Sequence, residues 1–425
     1  MSEWKEYKLG EIADIQTGPF GSQLHQRDYV PFGTPCIMPT NIGTHLNIDT
    51  TDIAHVKGED VERLHRHCVK EGDIIYSRRG DIEKCAYILP ENEGWLCGTG
   101  CLRIRINIDY IIPRFIAYQL STKKCKKMIV RNAVGTTMLN LNSSILKKLP
   151  IYAPIKEDQD RIMSILSSLD DKIAVNKKIC ENLEAQAQAF FKHWFVDFAP
   201  FKDGKFVESE LGLIPEGWRV GTLDEYVDNL GGYSYTGGEL QPSKTAMATI
   251  KNFVRGGGFK IEGYKEIVIS KNIQDYQYVN LFDVLVAHTD LTQNAEVVGN
   301  PAIILSTAGY EKLIMSMDLT KVVSKDERLT APLLHSILST KQFKEHALGY
   351  VNGTTVLHMS KKAVPEYHLA MPLNLDVLKD LTSILDKLYY MMSETYSENI
   401  RLSSLRDTLL PKLMSGEIKV NEIAL

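Results

Sequence analysis

Leu120-Ser121-Thr122-Lys123 recurs as Leu338-Ser339-Thr340-Lys341, and Gly135-Thr136-Thr137 recurs as Gly353-Thr354-Thr355. Ala153-Pro154 finds its counterpart in Met371-Pro372, and all these pairs are offset by 218 residues. Upstream, Trp4…Leu9-Gly10-Glu11 is echoed by Trp218…Leu223-Asp224-Glu225, and Gly72-Asp73-Ile74-Ile75 by Phe282-Asp283-Val284-Leu285. Solenoid repeats have periods of roughly 20–50 residues, so this spacing is too long for one. It reads as a duplicated domain, one fold used twice with different details between shared landmarks. A chain of 425 residues has room for about two to four domains, each with its own core.

Each module closes with a long amphipathic helix. In the first, Ile162, Leu166, Leu169, Ile173, Asn176, Cys180, Leu183, Ala187, Phe190 and Trp194 alternate by four and three. In the second, Leu378, Leu381, Leu385, Leu388, Met392, Thr395, Asn399, Leu402, Arg406, Leu409 and Leu413 do the same. A 3.5-residue apolar repeat sustained for about five heptads signals a coiled coil. Each helix should run about 40 residues, or roughly 60 Å. Chain connectivity makes the pair antiparallel, and Asn176 then faces the 395–399 segment across the seam or points to solvent beside it. Ile165, Phe191, Phe195, Ile384, Met391 and Leu405 flank the stripes as additional apolar surface.

The modules read as α+β. Short apolar runs at Cys36-Ile37-Met38, 73–76, 102–106, 284–286 and 302–305 suggest a mixed sheet, and helices are expected over Pro113–Lys127 and Ala331–His346. The expected division is 1–154 and 218–372 for two similar globular modules, 155–198 for a central spacer helix, 199–217 for a linker, and 373–425 for a closing spacer helix and tail. The whole has a pseudo-two-fold internal repeat, with the modules separated by the two antiparallel helices.

Net charge is −4, yet the charges are segregated. Between Tyr110 and Lys156 there are nine basic residues and no acidic one. In the matching stretch from Leu329 to Pro365, Lys341, Lys344, Lys361 and Lys362 stand against Glu345. Lys123, Lys124, Lys126, Lys127 and Lys341 are therefore either an electrostatic footprint for a polyanion or a solvated helix face. The hydrophobic share of 44% and charged share of 24% are those of an ordinary globular chain. Seven irregularly spaced cysteines point to reduced thiols, and Met-Ser-Glu-Trp-Lys lacks an apolar signal stretch, so a cytoplasmic location without membrane attachment is expected.

Catalytic signatures are missing from the sequence. There is no Gly-x-x-x-x-Gly-Lys-Ser/Thr loop for ATP and no Gly-x-Gly-x-x-Gly or Asn-Pro-Pro-Tyr-like segment for amino methyl transfer. The spacing in His65-Arg66-His67-Cys68 and Cys97…Cys101 does not suit a zinc finger, and no metal is expected.

The chain resembles the DNA-specificity subunits of type I restriction-modification systems. The resemblance is carried by Trp4…Tyr7-Lys8-Leu9-Gly10-Glu11, by Thr17-Gly18-Pro19-Phe20-Gly21-Ser22, and by the Gly-Asp-Ile-Ile-Tyr-Ser-Arg-Arg-Gly segment at 72–80. Phe195-Val196-Asp197-Phe198-Ala199-Pro200-Phe201 and the closing stretch 405–418 add to it. It implies two target-recognition domains, each reading one half of a bipartite, asymmetric site in double-stranded DNA. It also implies helices that space the halves and dock two modification (methyltransferase) subunits, with restriction (translocase/nuclease) subunits as further partners. S-adenosylmethionine, ATP and Mg2+ would belong to those partners, with no cofactor in this chain. The rival reading is a self-contained DNA methyltransferase or nuclease with an unrecognised site.

On that reading Arg78 and Arg79, following an apolar strand, are candidates for bidentate contact with guanine. Asn41 and Asn252, at equivalent positions, either contact adenine or hold a turn. Thr136, Thr137, Thr354 and Thr355 sit in loops that either approach DNA or turn tightly into a strand. Phe20 is either a groove wedge or a local core aromatic. Ser22, Ser77, Tyr233, Tyr235, Arg255 and His288 complete the DNA-binding candidates from the same loops. For spacing and partner docking the candidates are Ile162, Leu169, Asn176, Leu183, Phe190, Trp194, Leu385, Leu388, Asn399, Leu402 and Leu409.

Overall fold

The computed structural model describes residues 4–133, 140–255, 257–291 and 294–420. The chain divides into two compact units, residues 1–172 with 402–425, and residues 173–401. The division falls inside the long helices, Lys156–Phe195 and Lys379–Met414, rather than at their ends as the expected boundaries had it. The reason is packing: each helix segment buries its stripe in the core of the unit that it belongs to. Ile162, Leu166 and Leu413 enter the first unit's core. Leu183, Ala187, Leu381 and Leu385 enter the second unit's core.

The first unit holds a four-stranded antiparallel sheet ordered Ala13–Thr17, Cys101–Ile106, Ile74–Ser77, Cys85–Tyr87. The second repeats it as Val227–Gly231, Leu319–Ser324, Val284–Ala287, Pro301–Ile303. Each unit also has a second sheet built around one parallel pair, Thr34–Ile37 with Leu96–Cys97 and Thr245–Ala248 with Lys312–Met315. A two-stranded ribbon, Lys5–Lys8 with Pro150–Ala153 and its counterpart Trp218–Thr222 with His368–Pro372, ties the start of each module to its end. The duplication and the α+β class read from the sequence are both present.

The repeated motifs have local physical reasons. Leu-Ser-Thr-Lys is a helix junction, not the interior of one helix as expected. Pro113–Ser121 stops and Lys123–Asn132 starts because the Thr122 hydroxyl accepts from the Cys125 amide at 3.3 Å. In the second unit, Thr340 caps Lys341–Leu348 through the Phe343 amide at 3.1 Å. Threonine suits an N-cap, where its oxygen satisfies an orphan amide. Asp73 clamps Arg105 through two hydrogen bonds of 2.7 and 2.6 Å and accepts from the Lys70 amide. Asp283 does the same work with Lys321 and the Asn280 amide. The preceding residues, Gly72 and Phe282, share a positive φ of 85° and 69°.

Two further motifs are explained within their own units. Phe198 adopts a left-handed conformation that stops the first long helix. Phe195, Phe198 and Phe201 then surround the Trp218 ring at 5.3 Å each. The segment after it is not a plain linker, because Phe206–Ser209 and Gly212–Pro215 form a hairpin. In the first unit Gly416, at φ +72°, lies against the Trp4 indole, which a Cβ would meet at 2.8 Å.

The helix segments of the second unit run antiparallel. Asn176 is 1% exposed, and its Nδ2 donates to Asn399 Oδ1 at 2.9 Å and Glu398 Oε2 at 2.7 Å. The buried partner expected from the heptads is thus in place, and the solvent-facing alternative falls. Asn176→Leu alone should cost about 1–2 kcal/mol, because it removes the donor that two half-buried acceptors share. Asn176→Leu with Asn399→Leu should be at least as stable as the native chain while losing its register lock. Spin labels at Lys177 and Arg401 would then give a broadened distance distribution, and an unchanged narrow one would refute the register role.

Candidate nucleic-acid interface

In the first unit the helix Lys123–Asn132 presents Lys123, Lys124, Lys127 and Arg131 to solvent, with Lys126 half-buried. None of these meets a carboxylate among the described residues. Lys124 Nζ lies 5.4 Å from the Tyr152 ring centroid. Lys123, Lys124 and Lys126 also line a cavity of about 710 Å³, together with Leu410, Met414 and Arg406. Arg406, 3% exposed, donates to Asp170 at 2.7 Å and to Asp407. Tyr118 donates its hydroxyl to the same Asp170, and burial among these groups raises its pKa.

The strand Ile74–Ser77 ends in the Arg78-Arg79 turn. Ser77 is buried and its hydroxyl donates to the Arg79 carbonyl at 3.0 Å, so it supports the turn and does not itself face a ligand. Arg78 is pinned at both backbone groups, to Gly100 and Leu141. Its Nε is buried without a hydrogen-bond partner. Arg79 is exposed. Phe20 is 57% exposed, so it is not a local core aromatic, and Ser22 is exposed in the same loop. Phe32, not singled out from the sequence, is 91% exposed, which a lone aromatic between Pro31 and Gly33 does not signal.

Several candidates turn out to be structural. Asn41 and Asn252 are 3% and 0% exposed. Asn41 accepts from Met38 and donates to the Asp49 carbonyl, while Asn252 accepts from Thr249 and donates to the Lys260 carbonyl. The turn role holds for both, and their amides are not offered to a base. Tyr233 is 2% exposed and donates to Glu239 at 2.5 Å. That bond, with amide and hydroxyl donors from Thr236 and Ser270, holds the Glu239 carboxyl well below the usual range. Tyr235 is half-buried beside this cluster. His288 is buried and its pKa is lowered to about 4, chiefly by desolvation.

The basic side chains are partnered differently in the two copies. Lys341 pairs with Glu345 at 3.5 Å, Lys362 with Glu366 at 3.8 Å, and Arg255 with Glu296 at 3.2 Å. Lys344 is a clamp rather than a surface charge, donating to the Ala295 and Val298 carbonyls and to Asn300 Oδ1. Thr354 and Thr355 are exposed at the tip of the hairpin Val351–Asn352 and Leu357–Met359. Thr136 and Thr137 lie outside the described residues.

The helix candidates also need correction. Ile162, Asn176, Leu183 and Leu385 are buried in their own units, and Leu169, Trp194, Leu388, Asn399, Leu402 and Leu409 are half-buried. Of that set Phe190 alone is exposed, because Phe191 takes the core position. The apolar surface that stays open is Val175, Ile179 and Phe190 on the first helix, and Tyr390, Met391 and Leu405 on the second. Among the described residues no three His, Cys, Asp or Glu side chains come together in a metal-binding group. No described helix is long and apolar enough to cross a membrane.

Residues 1–185 match the profile described as the type I restriction modification DNA specificity domain. Over 441 residues the chain is 24% identical to the type I restriction enzyme MjaIX specificity subunit of Methanocaldococcus jannaschii, covering 99% of this chain and 95% of that protein. It is 26% identical over 488 residues to the HindI specificity subunit of Haemophilus influenzae, covering 98% of this chain and 100% of that protein. The crystal structure of a type I restriction-modification S subunit from M. genitalium shares the fold, with a TM-score of 0.55 at 16% identity over 97% of this chain and 96% of that one. The chain, with its duplicated α+β modules and paired long helices, is thus similar over nearly its full length to type I restriction enzyme specificity subunits, and its residues 1–185 match their DNA specificity domain.

Proposed function

We propose that this chain is the DNA-recognition subunit of such a system, each unit reading one half of a bipartite, asymmetric site. Lys and Arg on phosphates supply affinity and register, and side chains at base edges supply sequence. The observation that carries the reading is the row of cations on Lys123–Asn132 that no carboxylate pairs among the described residues, in the same unit as an arginine held at an exposed turn. Arg79 is the base reader of that unit, and Arg78 supports it from a half-buried position. Modification subunits dock on the open apolar side chains Val175, Ile179, Phe190, Tyr390 and Met391, which no described residue covers. Methyl transfer and ATP hydrolysis, with S-adenosylmethionine, ATP and Mg2+, reside in the partners.

Arg79→Ala should relax discrimination at one or two base pairs of one half-site, by roughly 1–3 kcal/mol, and leave the other half-site read as before. Competition binding with single-base variants of the site measures this. Equal losses at both halves would mean that the residue supports folding or assembly. The enzyme alternative is tested with purified chain, labelled methyl donor and DNA: turnover without partner subunits would overturn the recognition reading.

A further inference from the structure

We infer that the two units divide the work of binding unequally: the first supplies most of the phosphate-neutralising charge, and the second reads its half-site largely through uncharged groups. This rests on the DNA reading above. With histidine neutral, the first unit carries 26 basic against 25 acidic residues and the second 23 against 28. The contrast is sharper where the repeat places its cations. On the first unit's helix junction Lys123, Lys124, Lys127 and Arg131 are exposed, and Lys147 and Lys148 follow on the next short helix and its cap, none with a carboxylate among the described residues.

At the equivalent junction of the second unit each cation but one is compensated or withdrawn. Lys341 and Lys362 sit next to Glu345 and Glu366. Lys344 is turned inward onto two carbonyls and an amide oxygen. Lys361 remains exposed. The neighbouring His288 is buried and neutral at pH 7, with a pKa of about 4. Exposed ion pairs contribute little stability, but each carboxylate cancels a charge in the field that a phosphate would meet. Counterion release, and with it the salt dependence of binding, should therefore belong mostly to one half-site. The first encounter with DNA should be steered there as well.

The test uses the chain assembled with its modification subunits and a duplex carrying the site that is methylated in host DNA. Lys123, Lys124, Lys126 and Lys127 are replaced together by glutamine in one variant, and Lys341, Lys361 and Lys362 in another. The slope of log K against log salt should flatten by roughly 2–4 in the first and by less than about 1 in the second. Native protein is also measured on duplexes whose phosphates are replaced by neutral methylphosphonates in one half-site at a time, which needs no variant to fold. Substitution in the first unit's half-site should remove most of the salt dependence. Equal effects from both halves, or a larger one from the second, would overturn the inference. Failure of the native assembly to bind the duplex even at low salt would instead sink the DNA reading itself.

Discussion

Replacing Arg406 by alanine should destabilise the first unit by about 3–5 kcal/mol, the usual cost of removing one partner from a buried ion pair. The guanidinium is 3% exposed and donates to Asp170 at 2.7 Å and to Asp407 at 3.0 and 2.9 Å. It also meets His45 Nε2 at 3.2 Å. Without it the Tyr118 hydroxyl is the side-chain hydrogen bond that Asp170 keeps among the described residues. Arg406→Met with Asp170→Leu should recover most of the loss, since apolar groups of similar volume often replace a buried pair without penalty. Urea unfolding followed by tryptophan fluorescence and circular dichroism measures both variants. A loss below about 1 kcal/mol for the single variant would show that solvent reaches Asp170 and that the pair is ornamental to folding.

Acid should weaken the second unit before it weakens its carboxylate pairs. His335 is buried with Nδ1 2.7 Å from the Tyr389 hydroxyl, and desolvation lowers its pKa to about 4. His288, also buried, is lowered to about 4. Each is neutral when folded, while the unfolded chain takes up a proton near pH 6.5. Their contribution to stability is therefore complete above that pH and is lost as pH falls from 6.5 towards 4. Full loss corresponds to roughly 3 kcal/mol per histidine. Asp326, lowered to about 2 by Arg328, is lost only at lower pH. Thermal melts across pH 4–7 should fall in the upper window, and less steeply in His335→Gln. A melting temperature flat between pH 6.5 and 4 would contradict the burial of both imidazoles.

Much of the architecture was legible because it rests on local rules. The heptad stripe identified both helices, and Asn176 was placed opposite the 395–399 segment from connectivity alone, where it does bond Asn399. The stripe misassigned Phe190 because a helix that also packs on a sheet buries a broader face than a coiled-coil seam. Phe191 and Tyr389 are core residues for that reason, at 5% and 0% exposure. The expected single helices over 113–127 and 331–346 break at Thr122 and Thr340, where a favourable cap outcompetes continuation.

The candidate site was less legible, since exposure is a property of the folded chain. Arg79, Lys123, Lys124 and Lys127 are exposed, but Asn41, Asn252, Ser77, Tyr233 and His288 are inside, and Lys344 is a clamp. Repetition in the sequence by itself determined that one fold is used twice and that each copy ends in a long helix. Those features follow from spacing along the chain, which helix period and turn chemistry convert directly into structure. Tertiary structure alone decided that Lys344 is withdrawn onto the Ala295 and Val298 carbonyls and Asn300 Oδ1, whereas Lys341 and Lys362 meet glutamates only four residues on in sequence. Whether a lysine keeps its charge for a phosphate depends on a glutamate or carbonyl that folding brings within about 3–4 Å, where Coulomb and hydrogen-bond energies become significant.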